Sequence, residues 1–169
     1  MPDEPALIAR LRQGEMDALS GLYQLHARDL LGLARRLTGS LQDAEDVVQD
    51  LFIGLPEAMH RYQEQGYLRG WLRRITVRLA LMRIRSGRLR REETIEAHSP
   101  PARGNVLQDT AVRDALDALT PDDRTIVILK VVEGYDHREI AELLGIRRGT
   151  SEVRLHRAMA RLRQLLEVE

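Results

Sequence analysis

The chain has 169 residues with 26 Lys+Arg against 26 Asp+Glu, a formal net charge of zero, and 43% apolar and 31% charged residues. That is the balance of one medium or two small globular domains, and it excludes a disordered chain. The absence of cysteine excludes disulfides, thiolate nucleophiles and Cys-type zinc sites and fits a reducing cytoplasm. No apolar run approaches the ~20 residues that span a bilayer, and the acidic start Met1-Pro2-Asp3-Glu4 is not a signal peptide.

Helix formers dominate and aromatics are only 4% of residues, which predicts an all-α chain. Residues 3–13 read as a short helix with Asp3 as N-cap and Gly14 as stop. A second helix over 15–37 carries Leu19, Leu22, Leu25, Leu30, Leu33 and Leu37 and stops at Thr38-Gly39. Ser40 caps the next helix, with Asp43 in a weak capping-box position. Its apolar stripe is Ala44, Val47, Val48, Leu51, Phe52 and Leu55; Asp43, Asp46 and Asp50 fall on the opposite face. Pro56 predicts a kink or break near 53–55. Residues 62–67 form a polar loop with Tyr62 and Tyr67 at its ends.

The helix over 68–86 has Leu68, Trp71, Leu72, Ile75, Leu79 and Met82 as its expected buried stripe. Arg74, Arg78 and Arg85 line one flank, Arg69 and Arg83 the other, and a basic tail over 86–91 continues from it. Residues 92–108 have no period and carry turn chemistry, which marks a linker. The first domain is therefore 1–91 and the second 109–169. In the second, residues 106–119 look helical, and Thr120-Pro121-Asp122-Asp123 opens a helix that Gly134 ends. Asp136 with Glu139 caps a short helix over 137–144, and Gly145 stops it. Thr150 opens the last helix, whose buried stripe is Leu155, Ala158, Met159, Leu162, Leu165 and Leu166.

Zero net charge hides a division into patches. Residues 69–91 hold nine arginines and no acid, 147–163 hold six arginines against Glu152 alone, and 37–60 hold five acids and no Lys or Arg. Screening beyond about 8–10 Å makes these clusters act locally. Two basic surfaces and one acidic surface suit two contacts with nucleic acid and one with a basic protein. The bland alternative is a set of solvated helix faces in a chain whose genome favours arginine, since Lys130 is the one lysine.

A short helix, a Gly turn and a longer basic helix form a helix-turn-helix pattern, or else an ordinary helical hairpin with a solvated basic face. On the DNA-binding reading, Arg147, Arg148, Arg154 and Arg157 attract phosphate, Arg148 or Arg157 suits a guanine edge, Glu152 suits a cytosine amine, and His156 suits a base or a phosphate. In the first domain, Tyr62, Tyr67 and Trp71 beside arginines are the combination that holds unstacked bases, although Trp71 alone also reads as core. No Walker A loop, His-Glu-x-x-His pattern or metal-ligand spacing occurs, so no catalytic residue, metal or cofactor is expected.

The stretch from Asp43-Ala44-Glu45-Asp46-Val47-Val48-Gln49-Asp50 to Phe52, followed by Gly70-Trp71-Leu72-Arg73-Arg74-Ile75, resembles region 2 of bacterial RNA polymerase sigma factors of the extracytoplasmic-function (ECF) group, in the sigma-70 family. Leu119-Thr120-Pro121-Asp122-Asp123-Arg124, Glu133-Gly134-Tyr135, Glu139-Ile140-Ala141 and the basic helix from Gly149-Thr150 resemble their region 4. The resemblance implies two small helical domains joined by a flexible linker. It implies that Asp43, Glu45, Asp46, Gln49 and Asp50 dock on the clamp coiled coil of the largest polymerase subunit. It implies that Tyr62, Tyr67, Trp71, Arg74, Arg78 and Arg85 meet the minus-ten promoter element. It implies that Arg147, Arg148, Thr150, Glu152, Val153, His156 and Arg157 meet the minus-thirty-five element, with the second domain resting on the flap of the second-largest subunit. An anti-sigma protein is a further expected partner. Three positions depart from the family pattern: Pro56 replaces a bulky residue, Arg78 an Asn and Met82 an Asp. The competing readings are a sigma-like adaptor that binds only an anti-sigma protein, and a stand-alone helix-turn-helix regulator.

Overall fold

The computed structural model describes residues 3–63, 67–93 and 110–167, and the chain divides into two compact units, Met1–Ala97 and His98–Glu169. All the regular secondary structure among the described residues is helical, with no strand.

The first unit packs four helices, α1 (Glu4–Arg12), α2 (Asp17–Thr38), α3 (Leu41–Met59) and α4 (Leu68–Glu93). The local stop and start signals act as the sequence predicts. Gly39 adopts the left-handed conformation (φ 73°) that closes α2, and the Ser40 side chain accepts the backbone N–H of Asp43 to open α3. The whole predicted stripe of α3 is buried against α2 and α4. Gly21 lets α1 lie close on α2: a Cβ there would stand 2.8 Å from the Leu7 methyls. A polar contact supplements this packing, because buried His26 of α2 meets Glu4 of α1 at 2.6 Å.

Four expectations about this unit are corrected. Pro56 does not break α3, which continues to Met59. A proline deletes one backbone donor, and the fully buried Leu55 and Met59 hold the last turn in place. Leu25 is exposed and Leu19 only half-buried, so α2 buries a narrower stripe than its leucines suggest. α4 turns a different face inward: Leu68, Leu72, Thr76, Val77, Ala80 and Leu81 are buried, Trp71, Ile75 and Leu79 half-buried, and Met82 exposed. The inward face is rotated by about one residue, or about 100°. Thr76 tolerates burial because its hydroxyl donates to the Leu72 carbonyl at 3.0 Å. Lastly, α4 runs to Glu93, past the helix end expected at 86; residues 94–108 of the expected linker lie outside the described residues.

The second unit comprises α5 (Thr110–Asp117), α6 (Pro121–Val127), α7 (His137–Leu144) and α8 (Arg148–Leu166). Thr120 caps α6 by accepting the Asp123 N–H, as predicted. Five successive residues of α6 and its continuation, Thr125 to Leu129, are buried, so this stretch is covered on every side and is the central one of the unit. Its C-terminal end departs from the expected α-helix: over Ile128–Val132 the turn widens to π geometry, with the Glu133 N–H donating to Ile128 at 3.0 Å. Ala115, Leu119, Val127, Ala158 and Leu162 form a core cluster, flanked by half-buried Leu116, Leu155, Met159 and Leu165. Leu166, expected in the buried stripe, is exposed. Helix α8 begins at Arg148, not Thr150, with Arg147 as an extended N-cap residue that makes no side-chain cap.

Candidate functional site

Three surfaces carry the predicted residues. On α3, Glu45, Gln49 and Asp50 are exposed, as expected of a docking face. Asp43 and Asp46 are half-buried and already engaged. Arg83 of α4 donates from Nε to Asp43 at 3.0 Å and from its terminal nitrogen to Asp46. The acidic face is therefore partly neutralised from within, a tertiary contact absent from the sequence reading. Beside it runs a groove of about 830 Å³ between α2 and α3. Tyr23, Ala27, Leu31, Val48, Phe52 and Ile53 give it apolar walls, and Glu45 and Gln49 lie on its lining. Tyr23 meets Phe52 edge-on at 4.9 Å, yet Tyr23 is 51% and Ile53 69% exposed. The α2 wall was missed from sequence because Tyr23 lies outside the leucine stripe; its apolar ring on a polar face was the available signal.

On α4, Arg74, Arg78 and Arg85 are exposed, as predicted. Arg69 and Arg73 are instead tied to Asp29 of α2, with Arg69 Nε 3.0 Å and Arg73 2.6 Å from its carboxylate. The hydrogen bond from Arg69, joined by that from Arg73, outweighs partial burial and holds the Asp29 carboxyl down at about 2. The nine-arginine segment is thus relieved by acids from α2 and α3, and its free positive charge is narrower than its composition suggests. The aromatics divide. Tyr67 is 91% exposed and Trp71 half-buried, but Tyr62 is buried, 5.0 Å from Trp71 between ring centroids and under the Arg12 guanidinium. Tyr62 therefore packs against Trp71 and, unlike Tyr67, offers little ring face to solvent. Residues 64–66 of the loop lie outside the described residues.

The third surface is α7–α8. Asp136 accepts the N–H groups of Arg138 and Glu139 at 2.8 Å, while Glu139 accepts the Asp136 N–H at 2.9 Å, completing the predicted capping box. These backbone donors, Glu139 first, keep the Asp136 carboxyl below its ordinary value. Gly145 takes φ 64° and turns the chain into α8. Buried Ser151 meets His137 Nδ1 at 2.9 Å and joins the two helices. Arg147, Arg148, Glu152, Val153, His156 and Arg157 are all exposed, with Thr150 half-buried among them. Arg148 is paired to Glu152 at 2.9 Å and Arg154 to Asp122 at 3.3 Å. The first pair is exposed, so a ligand displaces it at little cost; half-buried Arg154 links α8 to α6.

Among the described residues no group of three or more His, Cys, Asp or Glu side chains is arranged to hold a metal ion, and no helix is long and apolar enough to cross a membrane.

Comparison with known proteins matches Sigma-70 region 2 over residues 22–90 and Sigma-70, region 4, over residues 109–162. The chain is 35% identical to the ECF RNA polymerase sigma factor SigE of Mycolicibacterium smegmatis, across 91% of this chain and 63% of that protein. It is 32% identical to the RNA polymerase sigma factor CarQ of Myxococcus xanthus, across 93% of this chain and 94% of that protein. Among solved structures, CnrH in complex with the cytosolic domain of CnrY is similar at 25% identity and a TM-score of 0.57, covering 97% of both chains. The sigma factor RpoE of Bartonella quintana, in complex with the anti-sigma factor NepR, shares the fold at a TM-score of 0.64 and 24% identity, over 89% of this chain and 97% of that one. With both regions matched in order and a relative above 30% identity covered almost end to end, the chain belongs to the ECF RNA polymerase sigma factors of the sigma-70 family.

Proposed function

We propose that this sigma factor joins core RNA polymerase and directs it to promoters by binding the minus-thirty-five duplex and the melted minus-ten element, with no catalysis of its own. The observation that carries the proposal is the ordered match to both sigma regions. The charge distribution supports how the work is divided. The exposed Glu45, Gln49 and Asp50, with the apolar groove beside them, suit a basic, partly apolar helical partner; we assign them to the clamp coiled coil of the largest polymerase subunit, with Asp43 and Asp46 contributing once Arg83 yields. Tyr67, Trp71, Arg74, Arg78 and Arg85 combine ring faces with cations and suit opened DNA. Arg147, Arg148, Thr150, Glu152, Val153, His156 and Arg157 surround the start of α8 and suit the major groove. The second unit would also rest on the flap of the second-largest subunit. We place the protein in the cytoplasm, where its polymerase and promoter are.

Regulation by an anti-sigma protein fits the same surfaces, since the structurally similar RpoE of Bartonella quintana is a sigma factor in complex with the anti-sigma factor NepR. The test is run-off transcription from genomic fragments with reconstituted holoenzyme. Transcripts that depend on this protein are the expected result. Silence from every fragment would instead favour an adaptor that binds only an anti-sigma protein. Tight, sequence-specific duplex binding by the isolated chain would favour a stand-alone regulator.

A further inference from the structure

Helix α1 lies before the region 2 match, which begins at residue 22. Its apolar side, Leu7, Ile8 and Leu11, is buried and anchors it on the bundle. Its last turn carries two arginines, where cations favour the negative end of the helix dipole. Arg10 pairs with Glu15, a near neighbour in sequence, at 2.7 Å. Arg12 instead reaches a residue 50 positions away and donates to the backbone carbonyl of Tyr62 at 2.5 Å. Its guanidinium also stands over the Tyr62 ring, 5.8 Å from the centroid, within cation–π range.

One side chain thus holds Tyr62 at two points. Tyr62 lies past the end of α3 at Met59, so its carbonyl has no place in that helix's ladder. A cationic donor is among the strongest partners such a carbonyl finds. The Tyr62 N–H is engaged as well, donating to the carbonyl of buried Met59 at 3.2 Å. With its N–H, carbonyl and ring all engaged, Tyr62 is a fixed surface. Half-buried Trp71 packs on that surface, with ring centroids 5.0 Å apart. Complementing the helix dipole would require neither of the contacts that Arg12 makes with Tyr62. Both end on the residue against which Trp71 is set.

We propose that Arg12 is a positioning residue for the minus-ten surface: it fixes Tyr62, and through Tyr62 the pose in which Trp71 meets opened DNA. The proposal rests on the promoter-opening function above. Arg12 acts on DNA only through the two rings. By holding them in one arrangement beforehand, it removes an ordering cost that DNA binding would otherwise carry.

Trp71 is the one tryptophan of the chain, so its fluorescence reports on this contact directly. In the free protein, Arg12→Ala should shift Trp71 emission to the red and raise its quenching by acrylamide, with the helical circular dichroism unchanged. In holoenzyme, Arg12→Ala should weaken binding to a promoter fragment with a pre-opened minus-ten bubble about fivefold, the lower end of what one stacked base contributes. Core polymerase affinity should stay at the wild-type value. Arg12→Lys keeps a donor for the carbonyl but not the flat guanidinium over the ring, so both readouts should fall between those of Arg12→Ala and the wild type. Trp71→Leu removes the positioned ring, so Arg12→Ala should add nothing to its loss.

Full additivity of Arg12→Ala with Trp71→Leu overturns the proposal. So does a loss of core polymerase affinity equal to the loss of bubble binding, which would make Arg12 a support of the whole unit. Should Arg12→Ala not fold, Arg12→Lys decides: altered quenching with weaker bubble binding and intact core affinity sustains the proposal, and wild-type values overturn it. Wild-type holoenzyme that binds the bubble no better than both Arg12 variants removes this inference alone; wild-type holoenzyme that binds no bubble removes the functional reading as well.

Discussion

Arg83 of α4 is ion-paired with Asp46 of α3, and the same guanidinium donates to Asp43 at 3.0 Å. The helix assigned to polymerase docking is thereby clipped to the helix assigned to opened DNA. A basic partner must compete with Arg83 for Asp46, and a freed Arg83 adds positive charge to α4. Removing Arg83 therefore has an unusual expected sign. Arg83→Ala should raise the association rate with core polymerase severalfold at low salt and steepen its salt dependence, because the docking helix regains negative charge. The pair is partly exposed, so its loss should cost the fold no more than about 1 kcal/mol. Binding kinetics across a salt series decide the matter; slower association by the variant would show that Arg83 organises the docking face and does not compete for it.

Charge reversal on α3 must respect the same geometry. Asp50 is exposed, so Asp50→Arg should leave melting unchanged and reduce polymerase affinity at least tenfold, about 1.4 kcal/mol. Asp46→Arg would set two guanidinium groups against each other at Arg83 and should also lower the melting temperature. Co-purification with core polymerase, read beside thermal melts, separates the two effects. Wild-type affinity of Asp50→Arg would remove the acidic face from the docking proposal.

Much of this was legible along the chain, and the misses share a cause. The caps at Ser40, Thr120 and Asp136, the glycine stops at Gly39 and Gly145, and the stripe of α3 are local features set by neighbouring residues, and all stand in the fold. The counter-ions of the α4 arginines come from residues 37 to 44 positions away, so no reading of 69–91 alone finds them. The inward face of α4 was misjudged because Thr76 and Ala80 look less apolar than Met82, yet small size and a hydroxyl bonded to its own helix suit a tight interface. Tyr67 and Arg78 stay open to a ligand because they are exposed, whereas Tyr62 is taken up by packing.

Asp29 gives a pH prediction. Its folded-state carboxyl titrates at about 2, below the ordinary value of 3.8. A depressed value means the Arg69 and Arg73 contacts stabilise the fold fully above about pH 4 and are lost as pH falls toward 2. Partial exposure limits the contribution to roughly 1 kcal/mol. Asp29→Asn should lower stability by about that amount at pH 7 and flatten the loss between pH 4 and 2. Thermal melts of both proteins over that range provide the comparison; parallel curves would mean the pair contributes nothing.

On α8 the expected roles of two exposed arginines differ by their present partners. Arg148 already pairs with Glu152, so its gain on meeting DNA is offset by what it leaves. Arg157 is exposed on the outer face of the helix and pairs with no acid among the described residues. Arg157→Ala should therefore cost about 1–3 kcal/mol of discrimination between the cognate minus-thirty-five element and a mutated one. Arg148→Ala should cost less, because Glu152 is released at the same time. Holoenzyme binding to the two duplexes, at fixed salt, measures both. Equal weakening on both duplexes by Arg157→Ala would assign that side chain to phosphate.

The capping box at α7 tests how far α8 depends on the helix before it. Asp136 satisfies two backbone donors, and Ser151 ties α8 back to His137 at 2.9 Å. Asp136→Ala should destabilise the second unit by about 1 kcal/mol, the usual cost of a lost N-cap. Since the units are separately compact, amide exchange should rise in α7 and α8 while α2 and α3 keep their protection. The accompanying loss of promoter binding should be similar for every minus-thirty-five sequence, because the variant loosens the support of α8 and removes no group that touches a base. A change in sequence preference would mean that the cap does more than hold α7 in place.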